Sequence, residues 1–132
     1  MNFFKKKPYV IAEAGVNHNG KLSLALASIR AASKAGADAV KFQIFKADEF
    51  MSKEKLIYKY KTKSGYKYEN MYDMFRRLEF SEKWLNTILK ECKKYKIDFL
   101  SSVADTNSAD LMKKIKVKAI KLSSEDLINY PL

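Results

Sequence analysis

The sequence lacks the features that mark cross-linked, fibrous or membrane-spanning proteins. Its 132 residues include one cysteine, one histidine, two prolines and four glycines. The single cysteine, Cys92, excludes an internal disulfide, and so few prolines and glycines exclude collagen-like and low-complexity chains. Because His18 is the single histidine, these residues cannot form a metal site made of several histidines. No apolar run approaches the roughly 20 residues that a membrane-spanning helix needs.

The amino terminus also lacks the features of a secretory signal. In "MNFFKKKPYV" the lysines follow the phenylalanines, and no long apolar segment comes after them. We therefore expect a cytoplasmic protein that has no membrane partner. The hydrophobic content of 47% allows a buried core, and the length suits one domain or part of a larger one.

Positive charge is abundant, and much of it is concentrated in one segment. The formal net charge is +11, and six lysines lie between Met51 and Lys67 with a single acid, Glu54. Tyrosines alternate with these lysines, a pattern typical of single-stranded nucleic acid binding through residues 53–68. The other interpretation is a long solvated loop whose tyrosines pack back on the body of the protein. We favour the loop, because lysine and tyrosine are frequent throughout the chain.

Short apolar runs alternate with helical patterns along the chain. The runs have the length and the β-branched or aromatic content of buried strands. They are Tyr9–Ala12, Ala39–Ile44, Asp98–Ser101 and Ala119–Leu122. Strands separated by helices pair in parallel through crossover connections, so the sequence predicts an α/β fold.

Four helices are predicted between these strands. The first follows Gly20 and ends at Gly36, which occupies the position just after a helix. The second is capped by Ser81 and carries Trp84, Leu85, Ile88, Leu89 and Cys92 on one face. The third begins near Asn107, and a short helix is predicted over 69–77.

Polar residues cluster where the strands end. The first strand ends in Glu13, Lys41 and Gln43 share one face of the second, and Lys121 lies in the fourth. Ligands bind at the carboxyl ends of parallel strands, so we expect these groups to converge. Two lysines with nearby hydroxyls suit a small anion that carries phosphate and carboxylate. Alternatively, each lysine lies at the surface and Glu13 merely pairs with one of them.

The loop after the first strand, "GVNHNG", is interpreted as a wall of the same site. Its glycines allow close approach, and its Asn and His side chains supply hydrogen bonds. In such a loop a histidine is more often a turn residue or a substrate hydrogen-bonding group than a metal ligand. The spacing of the glycines is too irregular for a dinucleotide-binding fingerprint.

Five blocks of the sequence, in order and spacing, resemble the first half of the bacterial sialic acid synthase family. The family includes N-acetylneuraminate, legionaminate and pseudaminate synthases and spore-coat polysaccharide homologues. The blocks are "IAEAGVNHNG", "AGADAVKFQIFKADE", "MYDMFRRLEFSEKW", "FLSSVAD" and "IKLSSEDLINYPL". The resemblance implies the amino-terminal half of a TIM (β/α)8 barrel, with four βα units within residues 1–132 and an insert at about 46–70. The second half and an antifreeze-like domain would be absent.

The resemblance also implies an activity. The family condenses phosphoenolpyruvate with an N-acylated amino sugar, such as N-acetylmannosamine, to give a nine-carbon 2-keto sugar acid and phosphate in surface carbohydrate biosynthesis. By position, Lys41 and Lys121 would hold phosphoenolpyruvate, and Ser124 would bind its phosphate or carboxylate. Gln43 would bind the sugar.

Two catalytic residues follow from the same resemblance. Glu13 would orient sugar or water groups, and Asp126 stands where the family often has a glutamate that is a proposed acid or base. The chain departs from the family in two loops: "SSVA" replaces Ser-Thr-Pro-Phe after the third strand, and "SSE" replaces Gly-Ser-Gly after the fourth.

The resemblance implies further partners outside this segment. A divalent metal, Mn or Mg, would act as a Lewis acid on the sugar aldehyde, with its histidine ligands in the second half of the barrel. The full-length form would be a homodimer, and the 132 residues alone would be inactive. The alternatives are another phosphoenolpyruvate-using or aldolase-type barrel and the nucleic-acid-binding module described above.

Overall fold

The structure is a computed structural model that describes residues 7–54 and 56–132. The amino-terminal hexapeptide, on which the signal-peptide expectation depends, and Lys55 of the lysine-rich segment lie outside the described residues. The strands are β1 Ile11–Gly15, β2 Ala39–Ile44, β3 Ile57–Thr62, β4 Gly65–Asn70, β5 Asp98–Val103 and β6 Ile120–Leu122. The α-helices are α1 Leu22–Lys34, α2 Ala47–Phe50, α3 Met71–Leu78, α4 Leu85–Lys94 and α5 Thr106–Lys114.

Four of the strands form a parallel sheet in the order β1-β2-β5-β6. Each is joined to the next by a connection that contains helix, so the predicted α/β fold is confirmed. The predicted limits of β2 match the structure. β1 lies two residues later than predicted at its start and three later at its end, and β5 extends two residues further, to Val103.

The core lies between one face of this sheet and the helices. Val40, Phe42 and Ile44 alternate onto that face and are buried, as the sequence pattern predicts. Ile29 of α1 and Ile88 of α4 are fully buried against the same cluster. The opposite face of the sheet is therefore the one left for polar side chains.

The helices begin and end for local reasons. Gly36, with φ of +79°, lies just beyond α1, and the amide of Ala37 donates to the carbonyl of Ala32 at 3.1 Å, which closes the helix end. α4 starts at Leu85, after a 3-10 turn at 82–84, and Ser81 makes no side-chain capping bond.

α5 starts at Thr106, one residue before the predicted start, and the carboxylate of Asp105 caps its first turn. Asp105 accepts hydrogen bonds from the amide of Ser108 at 2.6 Å and from its hydroxyl at 2.7 Å. It also accepts one from the amide of Lys46 at 3.0 Å, in the connection that follows β2. This buried carboxylate therefore ties the ends of two neighbouring strands together.

The expectation of a long loop in the lysine-rich segment is wrong. β3 and β4 pair as an antiparallel hairpin, with Tyr60 opposite Lys67 and Lys59 opposite Tyr68. Tyr66 and Tyr68 do not pack back on the body and remain 63% and 61% exposed, whereas Tyr60 is half-buried and donates from its hydroxyl to Glu69. Tyrosine and lysine at alternate positions suit a pleated strand, which puts them on opposite faces.

The short helix predicted over 69–77 is present as α3, which starts two residues later because Glu69 and Asn70 end the hairpin. The Asn70 side chain accepts a hydrogen bond from the amide of Asp73 at 3.2 Å and so begins the helix. In the part of the chain that the structure describes, no helix is long and apolar enough to cross a membrane.

Candidate active site

The first row of site residues runs across the polar face of the sheet. The strand register places Glu13 beside Lys41 and Lys41 beside Leu100. The ammonium of Lys41 forms an ion pair with the carboxylate of Glu13; the lysine side chain is only 14% exposed, whereas that of Glu13 is 54% exposed. A nearly buried ammonium is costly without an anion beside it. Glu13 therefore supplies the anion beside Lys41, and this contact is expected both if the face binds a ligand and if Glu13 merely pairs with the lysine.

A second row lies two residues further towards the carboxyl ends. Gln43 of β2 is in register with Ser102 of β5, and Ser102 with Lys121 of β6. Residues two apart on a strand share a face, so this row faces the same way as Lys41. Lys121, at the exposed edge, donates from Nζ to the hydroxyl of Ser123 at 3.0 Å. The structure thus brings Glu13, Lys41, Gln43 and Lys121 onto one face.

Gly15 allows the two rows to approach each other. Its φ of +49° lies in the left-handed region, and the β1 register shifts between Glu13 and Gly15. A Cβ at this position would lie 3.4 Å from Oε1 of Glu13 and 3.5 Å from Oε1 of Gln43. The carboxylate and the amide therefore lie on either side of a backbone that carries no side chain.

Ser101 and Ser102 have different roles, although the sequence presents them as a pair. The Ser101 hydroxyl is buried on the helix side and lies within hydrogen-bond distance of the carbonyl oxygens of Phe42 (3.2 Å) and Ser102 (2.7 Å). Ser102 belongs to the polar row. Alternation along β5 predicts this division, since only one of two successive side chains can face the site.

The two remaining predicted site residues lie in the loop after β6. Ser124 begins a 3-10 turn at Ser124–Ile128 and is exposed. Asp126 is half-buried in the same turn; its Oδ2 atom is buried and has no hydrogen-bond partner within residues 7–54 and 56–132. Neither residue lies in the strand rows, and both lie in the turn that follows the carboxyl end of β6.

His18 lies on the helix side of the sheet and not in the site. It is fully buried, and its ring centroid lies 5.5 Å from that of Trp84 and 6.0 Å from that of Phe80. Its Nδ1 atom accepts a hydrogen bond from the amide of Gly20 at 3.1 Å, and burial lowers the pKa of the imidazole. Of the two roles considered for this histidine, the structure supports the turn residue.

The glycine-rich loop after β1, residues 15–20, packs closely against the backbone at the end of α3. A Cβ at Gly20 would lie 2.8 Å from the carbonyl oxygen of Arg77 in α3. Arg77 also donates to the side chain of Asn19 at 2.7 Å. The loop after β1 is therefore joined to α3.

A cavity of about 270 Å³ opens beside the second row. Gln43 and Ser102 form part of its polar wall, together with Ser123 and Glu125 from the loop after β6. Its apolar roof comes from α2 and α3 and includes Phe50, Met74, Phe75 and Leu78. Gln43 is the residue of the predicted site that lines this cavity.

Sequence reasoning did not identify this roof. The spacing of Met71, Met74, Phe75 and Leu78 is i, i+3, i+4, i+7, which indicates an apolar helix face and was the available signal. The rings of Phe45, Phe50 and Phe75 contact one another with centroids 5.2 to 5.6 Å apart. These edge-to-face contacts hold the short α2 against α3.

The described residues do not form a metal site. Across residues 7–54 and 56–132, no three His, Cys, Asp or Glu side chains come together in a way that could hold a metal ion. Cys92 is buried in the core, and burial raises the pKa of its thiol to about 12, so it offers no thiolate. The donor set implied by the resemblance is therefore not assembled from these residues.

Comparison with known proteins identifies the family. The model of the NeuB family matches residues 28–132. The chain belongs to the NeuB family. It is 41% identical over 124 residues to the spore coat polysaccharide biosynthesis protein SpsE of Bacillus subtilis, a match that covers 94% of this chain and 32% of that protein. It is 40% identical to an N,N'-diacetyllegionaminic acid synthase of Campylobacter jejuni, over 96% of this chain and 38% of the synthase.

Solved structures of the family have the same fold. An N-acetylneuraminic acid synthetase from Leptospira borgpetersenii, crystallised with citrate, superposes with a TM-score of 0.78 at 29% identity over 93% of this chain and 38% of that one. The Bacillus subtilis SpsE structure gives 0.69 at 37% identity over 94% of this chain and 31% of that one. The parallel sheet is therefore part of an α/β TIM barrel, as predicted. The chain spans about a third of the length of these relatives.

Proposed function

We propose that the protein carrying this segment condenses phosphoenolpyruvate with an N-acylated amino sugar, giving a nine-carbon 2-keto sugar acid and phosphate for surface carbohydrate biosynthesis. Membership in the NeuB family supports the proposal. So do the names of relatives, which include legionaminic acid, pseudaminic acid and N-acetylneuraminate-9-phosphate synthases.

The observation that carries the proposal is the placement of two lysines on the polar face of the sheet. Lys41 and Lys121 occupy adjacent rows on β2 and β6, with Gln43 and Ser102 between them in the register. Phosphoenolpyruvate carries a carboxylate and a phosphate, and two ammonium groups match this distribution of charge. Lys41 is already largely desolvated and is positioned by Glu13, so an incoming anion meets an ammonium that it shares with this carboxylate.

The chemistry assigns a task to each polar group. A bond forms between C3 of phosphoenolpyruvate and the aldehyde carbon of the open-chain sugar, and the aldehyde oxygen gains a proton. Water then adds at C2, and the tetrahedral intermediate loses phosphate by cleavage of its C–O bond. The lysines raise the rate to the extent that they bind the developing charge more tightly than the reactant. Gln43 would orient the sugar.

Two carboxylates supply proton transfer and orientation. Asp126 has a buried oxygen without a partner among the described residues, which leaves it available to hold or release a proton. Glu13, more than half exposed beyond its contact with Lys41, can orient a sugar hydroxyl or the attacking water. The described residues do not assemble the ligands of the divalent metal that we propose for the whole enzyme.

The test is phosphate release by the natural gene product, supplied with phosphoenolpyruvate and an N-acylated mannosamine. Replacing Lys41 or Lys121 with alanine should lower kcat/KM for phosphoenolpyruvate by about 100-fold, the order expected when a charge-stabilising donor is removed. Lys61→Ala, on the exposed hairpin, is the matched control and should stay within about twofold, as for a solvated surface charge. Unchanged kinetics in both sheet variants would contradict the assignment.

A further inference from the structure

His18 holds the loop after β1 together through its side chain and its backbone. The Nδ1 atom accepts a hydrogen bond from the amide of Gly20 at 3.1 Å, so the neutral ring carries its hydrogen on Nε2. The carbonyl of His18 accepts from the amide of Lys21 at 2.8 Å. Between these contacts Asn19 adopts a φ of +47°. The imidazole therefore fixes the turn that leads into α1.

The surroundings of this ring are apolar. The ring is fully buried, and its neighbours are the rings of Phe42, Phe80 and Trp84, with centroids 5.5 to 6.3 Å away. Nε2 is buried and has no hydrogen-bond partner in the described part of the chain. A second proton would convert Nδ1 from an acceptor into a donor and so remove the bond from Gly20. It would also place a charge where no anion balances it.

The charged residues around the ring do not supply that anion. Those closest in sequence to His18 and to the surrounding rings are Lys21, Lys41, Arg77, Glu79, Glu82 and Lys83. Only two of these are acids, and both form ion pairs with Lys46, Glu79 at 3.9 Å and Glu82 at 3.6 Å. Burial accordingly lowers the pKa of the imidazole.

The loop that His18 holds begins beside a residue of the polar face. Gly15 is its first residue, and a Cβ there would lie 3.4 Å from Oε1 of Glu13. The amide of Asn17 donates to the carbonyl of Ala14 at 2.9 Å, which ties the middle of the loop back to the end of β1. A displacement of the turn at His18 is therefore transmitted through a few residues to the backbone beside Glu13.

We propose that His18 is a positioning residue: its neutral ring holds the loop that begins beside Glu13, and the loop loosens when the ring gains a proton. The ring lies on the helix side of the sheet, so it acts through the loop and not by contact with a substrate. The part of this inference that concerns catalysis rests on the proposed function, whereas the hold on the loop does not.

The first experiment measures amide hydrogen exchange of residues 15–21 in the natural gene product as the pH is lowered from about 7.5 to about 5.5. After correction for intrinsic exchange, protection should fall about tenfold, because an opened loop releases a histidine that titrates near its ordinary pKa of about 6.5. The closed loop keeps the ring neutral below that value, so the unfolded loop binds the extra proton and is favoured by acid. Helix α5 is the internal control and should keep its protection.

Two substitutions separate the hydrogen bond of the ring from its charge. His18→Asn cannot gain a proton, but its Oδ1 atom can accept from the amide two residues later, so acid should change protection by less than about twofold. His18→Phe keeps an aromatic ring without an acceptor, so protection should be about threefold or more below the wild type at pH 7.5. Ala27→Phe, on the exposed side of α1, is the control and should behave as the wild type does. A tenfold acid effect that persists in His18→Asn would overturn the assignment.

Steady-state kinetics test the connection to Glu13. His18→Phe should lower kcat/KM for an N-acylated mannosamine about tenfold and leave KM for phosphoenolpyruvate unchanged, because the loop carries neither lysine. In a Glu13→Gln background the same substitution should cost less than about threefold, since both changes affect one contact. Independent tenfold losses would overturn the positioning role. No phosphate release by the wild type would reject the proposed function and the positioning role with it, while the exchange measurement would still decide whether His18 holds the loop.

Discussion

The lysines of the sheet and the lysines of the hairpin are the same residue type in two different environments. Lys41 lies on the polar face of the sheet, is nearly buried, and has one carboxylate partner, Glu13. Lys59 lies on the hairpin, is exposed, and places its ammonium 4.4 Å from the ring centroid of Tyr66 and 5.5 Å from that of Tyr68. The first belongs to an ion pair in a nearly desolvated place, and the second is one of several charges in water.

This difference shows that charge density along the sequence is a poor guide to function here. The hairpin contains most of the lysine-rich segment, yet its charges are screened by solvent. The ammonium groups of Lys59 and Lys67 lie over tyrosine rings. Lys59 covers ring faces that a nucleic acid base would need for stacking, which weakens the nucleic-acid interpretation of residues 53–68. The sheet offers fewer cations, but Lys41 acts where water is partly excluded and electrostatic interactions are stronger.

If the polar face of the sheet is the active site and the hairpin is not, the largest loss of activity is expected on substitution of Asp126, in the turn after β6. If its carboxylate transfers a proton, Asp126→Asn should lower kcat of the natural gene product by about 10²–10⁴-fold. Asp126→Glu keeps the carboxylate and should retain substantial activity. Asp110→Asn, on the exposed side of α5, is the control and should have wild-type kinetics. Full activity in the Asp126→Asn variant would show that the carboxylate of Asp126 transfers no proton in the reaction.

A smaller effect is expected at Glu13, which has two proposed roles: it pairs with Lys41, and it contacts the sugar. A substitution can distinguish them. Glu13→Gln removes the negative charge but keeps the shape, and kcat/KM for the sugar should fall about tenfold, the value of one charged hydrogen bond. KM for phosphoenolpyruvate should not rise, because Lys41 loses a competing anion. Steady-state kinetics with each substrate varied in turn would measure both. A rise in the phosphoenolpyruvate KM alone would mean that Glu13 serves only to position Lys41.

The parallel sheet and its polar rows were predictable because the signals are local. Apolar alternation predicts β2 with its correct limits, and the same alternation puts Lys41 and Gln43 on one face. The cavity depends on how α2 and α3 lie over the strand ends. That arrangement is set by ring contacts between Phe45, Phe50 and Phe75, and Phe75 is distant from the other two in sequence.

The hairpin carried a local signal that was misinterpreted. "IYKYKT" and "GYKYEN" alternate with a period of two on either side of Lys63-Ser64, which indicates two strands and a tight turn. The loop interpretation gave more weight to charge than to this period. His18 was ambiguous for a different reason: its burial depends on Phe80 and Trp84, more than 60 residues away, and no pattern near the histidine reports that contact.

The smallest expected effect concerns the anchor between the hairpin and α3. Glu69 accepts hydrogen bonds at 2.7 Å from both Tyr60 and Arg77 and forms an ion pair with Lys67 at 2.9 Å. The Tyr60 hydroxyl and the Lys67 ammonium lower the pKa of Glu69 to about 2. Because the folded-state pKa is depressed, this carboxylate stabilises the hairpin fully above the ordinary glutamate pKa, and the contribution is lost as the pH falls towards 2.

Replacing Glu69 with glutamine should therefore loosen the hairpin without affecting catalysis. Amide hydrogen exchange in β3 and β4 should be about two- to fivefold faster than in the wild type near pH 5, as expected for a partly exposed ion pair. The difference should shrink as the pH approaches 2, where the wild-type carboxylate becomes protonated. Glu54→Gln, an exposed acid before the hairpin, is the matched control. A loss of phosphate release in Glu69→Gln would contradict the contrast between the two sets of lysines, because it would make the hairpin part of the active site.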